Sequence, residues 1–269
     1  MNFGNLINNA DVSLGRLYNE ISRINIFIAT LVLNLTEAIK IICRDVPLGR
    51  LYKDNLLESL RKIVWTCLPI ATLTVSASSI VYSIHVAPEF STHALSNYLG
   101  GVVALSLIRE GVPVMASLAI VTQFCTGITA QIGSMKITEQ IDAMKMAQVY
   151  PVPYILVPLL LSGLIGFPIL IMICILAGIA VNFVISNLLI NITLQLYLSS
   201  IVNVVCIKDI LLSIVKSSMF GFFVNLVSFN CGMLTLGGSK AVGNSIRLSV
   251  ILNFALVLIL DYIITALWI

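Results

Sequence analysis

Polar and apolar positions along this chain sort into long apolar runs separated by short charged islands. Five runs, about Ile63 to His85, Leu99 to Ile128, Tyr154 to Val181, Ile207 to Val227 and Leu248 to Trp268, are long enough to cross a bilayer as helices, which takes about 20 residues. The runs are continuous rather than alternating. That excludes a membrane β-barrel and predicts an all-α membrane protein. Residues 16–43 read differently: Ile24, Ile26, Phe27, Ile28, Leu31 and Leu35 are apolar, but Asn25, Asn34, Glu37 and Lys40 break the run. This pattern predicts an interfacial helix lying along one membrane surface, against the alternative of a genuine first span. A basic connector, Arg44 to Lys62, follows, with a turn marked by Pro47 and Gly49. The chain thus divides into an N-terminal part, 1–62, and a five-span membrane domain, 63–269.

The spans are not uniform. The first has Pro69 and a hydroxyl-rich middle of Thr72, Thr74, Ser76, Ser78 and Ser79, suited to close helix packing or to lining a cavity. The second carries Gly100, Gly101, Pro113 and Gly127 and exceeds the length a bilayer needs, so a bent or broken helix is expected. Residues 182–205 read as an external segment holding a short surface helix.

Composition agrees with the pattern: 59% of residues are hydrophobic and 10% charged, which excludes a soluble domain. Charge placement adds orientation. Arg16, Arg23, Lys40, Arg44, Arg50, Lys53, Arg61 and Lys62 crowd the N-terminal part, whereas residues 182–205 hold no Lys or Arg. By the positive-inside tendency the N-terminus is cytoplasmic, as are the loops bearing Lys136 with Lys145 and Lys240 with Arg247, while 182–205 and the C-terminus lie outside. The polar, partly acidic N-terminus does not have the pattern of a cleavable signal.

One polar island stands out, Gly133 to Met144. Read as a helix, Ile137, Ile141 and Met144 form an apolar stripe, and Glu139 and Asp142 share another face with Lys136 and Gln140 beside them. Pro151 and Pro153 stop it. Such a helix suits docking to another protein or resting at the membrane surface, and the residues alone leave both open.

Candidate chemistry is sparse. Arg109 and Glu110 lie inside the second span, where ionisable groups are costly and pair or face a polar cavity. Adjacent helical residues point about 100° apart, so their partners lie elsewhere, either on another helix or in a bound polar headgroup. Ser79 and Tyr82 on the first span are candidates for lining the same cavity, or for packing. Asp261 reads either as another cavity acid or, in preference, as a group near the outer interface bonded to a neighbouring helix. The two histidines and six scattered cysteines form no CxxC or Cys/His pattern, no catalytic constellation is visible, and Gly237-Gly238-Ser239-Lys240 does not fit the phosphate-loop frame. Nothing suggests nucleic-acid binding.

The segment Met135 to Met144, MKITEQIDAM, resembles the signature of the MlaE/YrbE family, permease subunits of ABC transporters that work with MCE proteins. Ala104 to Glu110 with Pro113 resembles a second family block, and Gly237 to Gly243 followed by Asp261-Tyr262 and Thr265 to Leu267 a third. The resemblance covers roughly residues 50–269. It implies a phospholipid transporter in the inner membrane, built on a homo- or heterodimer of permeases. A cytoplasmic ABC ATPase, which binds the ATP and Mg, would dock through residues 134–146, with Lys136, Thr138, Glu139, Gln140, Ile141, Asp142 and Met144 as the coupling residues. An MCE-domain protein would stand on the outer side. The chain itself would hold no cofactor or metal, catalyse no reaction, and place Glu110, Arg109, Tyr82 and Ser79 at the substrate. A membrane anchor without a transport pathway is the alternative. Two positions depart from the family pattern: Gln123 and Gln131 stand where charges are usual.

Overall fold

The computed structural model describes residues 25–44, 53–92 and 98–268. These form eight helices and no strand: α1 (Asn25–Arg44), α2 (Lys53–Thr92), α3 (Leu99–Ile137), α4 (Gln140–Met146), α5 (Val152–Ile190), α6 (Leu194–Val204), α7 (Ile207–Met233) and α8 (Ser239–Trp268). Six are long and apolar enough to cross a membrane. The chain is an all-α membrane protein. Most of the predicted cytoplasmic N-terminus, and the connector over 45–52, lie outside the described residues.

α1 is one of those six, yet of its side chains only Ala38 is fully buried. Asn34 Nδ2 donates to Asn230 Oδ1 at 3.1 Å, and Asn230 Nδ2 donates to the Phe27 carbonyl at 3.1 Å. Residues two turns apart on α1 thus meet one side chain in the last turn of α7. α1 therefore contacts the last turn of α7, and Asn34, Glu37 and Ile41 line a cleft with Lys145 and Tyr150 at the end of the bundle that carries α4.

The other long helices form the bundle. α2 lies along α5, α5 on α7, and α7 on both α3 and α8. α3 and α7 are the most buried, α8 the most exposed of the five. Small residues set the closest crossing. A Cβ on Gly163 of α5 would strike the carbonyl of Gly221 on α7, and a Cβ on Gly221 that of Gly163, so the two backbones meet directly.

α3 has the irregularity its glycines and proline predict, in a specific form. It stays helical throughout but widens into π turns at Leu107–Gly111 and Val121–Cys125, each fitting an extra residue into the helix. The hydroxyls of α2 serve their own helix: Thr72, Thr74 and Ser78 donate to carbonyls of Leu68, Ile70 and Val75 at 2.7, 2.7 and 2.9 Å.

The third run extends further as helix than expected. α5 continues through residues 182–190, and Asn182 is buried there: its Nδ2 donates to Ser83 Oγ at 2.5 Å and its Oδ1 accepts from the Tyr197 hydroxyl at 2.8 Å. The short helix exists as α6, but it is docked. Tyr197 and Ser200 are buried, and the Gly101 N–H donates to Ser200 Oγ at 2.8 Å. Gly100 and Gly101 leave room for the α6 backbone, which a Cβ would strike.

Candidate functional site

Pro113 has no N–H to give the Arg109 carbonyl four residues earlier. Lys216 of α7 fills that place, its ammonium donating to the Arg109 carbonyl at 3.0 Å. The same Nζ lies 2.8 Å from Glu110 Oε2 and 2.7 Å from Asp261 Oδ1 on α8. Thr265, one turn beyond Asp261, donates to Glu110 Oε1 at 3.0 Å. Arg109, turned away from Glu110, reaches Asp209 at the start of α7: Nε and an Nη each lie 2.7 Å from Asp209 Oδ1. Asp209 Oδ2 in turn accepts the Cys206 N–H at 2.9 Å and caps α7. Three helices therefore converge on one charged cluster at a similar depth, since Glu110 is about 16 Å along α3, Lys216 about 14 Å along α7, and Asp261 about 10 Å from the end of α8.

The cluster is closed on one side and open on the other. Lys216 and Asp209 have 0% and 2% of their side chains exposed, whereas Arg109 and Glu110 have 49% and 45%. A half-exposed guanidinium and carboxylate at this depth cannot face hydrocarbon without a large cost. That face of the bundle must meet water, protein or a polar ligand.

Of the four residues expected at the substrate, the structure joins Arg109 and Glu110 through α7, and it does not bring Ser79 or Tyr82 to them. Ser79 is buried where α2 meets α5, against Gly178, and its hydroxyl finds no partner among the described residues. Tyr82, three residues on, is 37% exposed. Lys216 and Asp209 are the residues that sequence reasoning missed. Their signal was present: two charged residues seven apart, hence on one helix face, at the head of an apolar run.

The polar island folds in two pieces instead of one helix. α3 runs through Ile137, the chain turns at Thr138 and Glu139, and α4 starts at Gln140. Glu139 adopts the left-handed conformation (φ 59°) that breaks the helix. Ile141 is fully buried and anchors α4. The expected acidic edge is largely neutralised: Lys136 lies 3.0 Å and Lys145 3.4 Å from the Asp142 carboxylate. The hydrogen bond from Lys136 and the charges of both lysines hold that carboxyl below its ordinary value. Thr138, Glu139 and Gln140 are exposed and Met144 is half-buried. Met146, Tyr150 and Leu236 add large exposed apolar side chains at this end.

Two clefts open at the same end. One, about 240 Å³, lies between α2, α3 and α5, with Phe124, Ile128 and Leu159 apolar and Glu58, Lys62 and Gln131 polar. The other, about 410 Å³, lies between α1 and the α4–α5 turn.

The model of the family described as permease MlaE matches residues 56–267. A probable ABC transporter permease of Synechocystis is 31% identical over 80% of this chain and 81% of its own length. One from Rickettsia typhi is 30% identical over 81% of this chain and 84% of its own. The protein named trigalactosyldiacylglycerol 1, chloroplastic, of Arabidopsis thaliana is 26% identical over 81% of this chain and 62% of its own length.

Proposed function

The chain belongs to the MlaE permease family and is an ABC transporter permease; on that premise we propose that it moves phospholipid between the membrane and an MCE-domain protein. The energy comes from a separate cytoplasmic ATPase that binds the ATP and Mg. The observation that carries this reading is the half-open charged cluster of Arg109, Glu110, Lys216, Asp209 and Asp261. It offers a guanidinium for a phosphate at a depth where acyl chains can lie alongside in the bilayer. A second permease, identical or related, would cover the open face and make the cavity. The name of the Arabidopsis relative contains a diacylglycerol lipid with a sugar headgroup, which supports lipid cargo in general.

The coupling surface proposed for the ATPase is the α3–α4 turn. Glu139 and Gln140 are exposed, and Lys136, Thr138, Asp142 and Met144 surround Ile141, whose burial ties α4 to the bundle. A push on α4 passes directly into α3, and along α3 to the cluster. In this reading the α4 end is cytoplasmic, the membrane is the inner membrane, and the C-terminus is outside. Single-cysteine labelling in a cysteine-free background tests the orientation: a reagent that cannot cross the membrane should leave position 140 unlabelled in intact cells, and labelling there would reverse the topology.

Transport is tested in the assembled complex. A photo-crosslinking residue at 110 should capture phospholipid, and phospholipid should stimulate ATP hydrolysis by the co-purified ATPase. The same residue at 82 should capture lipid from that cavity if Tyr82 lines it, and only bulk lipid if it does not. A complex that captures nothing at 110 and hydrolyses ATP equally with and without lipid would be a membrane anchor.

A further inference from the structure

The charged cluster does not balance. Arg109 and Lys216 bring two positive charges against the three carboxyls of Asp209, Glu110 and Asp261. Arg109 neutralises Asp209 in close contact, which leaves the one ammonium of Lys216 between Glu110 and Asp261. Each of those carboxyls has an oxygen within 2.8 Å of Nζ, so the two share a single cation. Ionised carboxylates are acceptors only, so two of them gathered on one ammonium have no hydrogen bond to offer each other. A net negative charge at this depth is also costly, and like charges sharing a site are relieved when one of them keeps its proton.

We propose that Glu110 and Asp261 bind one exchangeable proton between them at neutral pH, making the cluster a proton site. Glu110 accepts from Lys216 and from Thr265 at 2.8 and 3.0 Å, so it is the better-held anion. Asp261 has the ammonium beside one oxygen and no aligned donor, so it is the carboxyl that carries the proton. Uptake of that proton from water brings the five-residue cluster to neutrality, and its return to water leaves the cluster with one negative charge. The site exists only while α3, α7 and α8 are together. Parting α8 from α3 takes Asp261 and Thr265 away from Glu110 and Lys216, so proton occupancy is tied to the closed arrangement of these helices.

No other titratable group competes at this level among the described residues. α5 and α6 contain no Asp, Glu, Lys, Arg or His. On α2, His85 and Glu89 are exposed and stand about 9 and 15 Å further along the axis than Ser79. Lys208 on α7 is exposed about 12 Å before Lys216 along the helix, and on α8 the exposed Tyr262 follows Asp261.

The proton site rests on helix geometry and not on the cargo, so it is tested on the full-length chain in nanodiscs without nucleotide. Infrared difference spectroscopy at neutral pH should show the C=O band of a protonated carboxylic acid. Asp261→Asn and Glu110→Gln should each abolish it, because the remaining carboxyl then ionises against Lys216. Lys216→Met should instead raise it about twofold, since both carboxyls lose their cation and protonate. The amides are isosteric and keep a partner for Lys216, so the fold survives both. Absence of the band from the wild type would overturn the proposal without any variant. Loss in only one of the two amide variants would also overturn it, because a proton belonging to a single carboxyl does not need the other.

Discussion

Lys216→Ala should destabilise the protein by about 3–5 kcal/mol, the typical consequence of removing one partner from a buried ion pair, and should abolish transport. Lys216 is fully buried and holds Glu110, Asp261 and the Arg109 carbonyl that Pro113 leaves without an N–H. Its loss strands two carboxyls and one carbonyl in the same spot. Thermal unfolding in detergent should show the drop as a lower midpoint, with ATP-driven lipid movement in the reconstituted complex reduced at least tenfold. The penalty is mainly electrostatic, so it is reversible by neutralising the stranded partners. Lys216→Met combined with Glu110→Gln and Asp261→Asn should recover much of the stability, because neutral groups of similar size can replace buried ions at little cost, while transport stays lost. An unchanged midpoint in Lys216→Ala would mean that the three helices are held together by packing alone.

Reversing Glu139 and Asp142 to Lys should release the ATPase. Asp142 is the acid between Lys136 and Lys145. With both reversals, four lysines crowd the turn and first helical residues of α4, where none can pair locally. The amount of ATPase that co-purifies should fall at least tenfold, about 1.4 kcal/mol or more in binding. Both positions are exposed, so membrane insertion and the thermal midpoint of the permease should hold. Undiminished ATPase on the doubly reversed permease would move the docking surface away from this turn, toward Met146, Tyr150 and Leu236.

Much of the fold was legible because the bilayer imposes its length on the sequence. Each of the five runs became one long helix, and of the mixed stretch 16–43 the described part, from Asn25 on, is a helix too. What escaped was decided by side chains far apart in sequence. The third run was expected to end at about Val181, but Ser83 and Tyr197 satisfy Asn182 and the helix goes on. The glycines at 100 and 101 looked like a bend, and they are a seat for the α6 backbone. At the site, Arg109 and Glu110 were visible as charges in an apolar run. Lys216 obeyed the same rule and was passed over, although the charges at 209 and 216 share a helix face. Tyr82 was placed with Glu110 on polarity alone, and it is part-exposed on α2. The Glu139 break inside α4's leading sequence depends on a backbone conformation that the side-chain pattern does not encode.

The backbone contact between Gly163 and Gly221 has a mechanical consequence. The two backbones meet there without intervening side chains, so a tilt of α5 against α7 would turn about it. Gly163 stands 11 residues from Val152, at the end next to α4, and 27 from Ile190, arms of about 16 and 40 Å. The lever is unequal: a shift of about 1 Å where α4 joins α5 becomes about 2.5 Å at the far tip, beside the α6 hairpin. Enlarging either glycine would not only separate the helices; it would move the fulcrum.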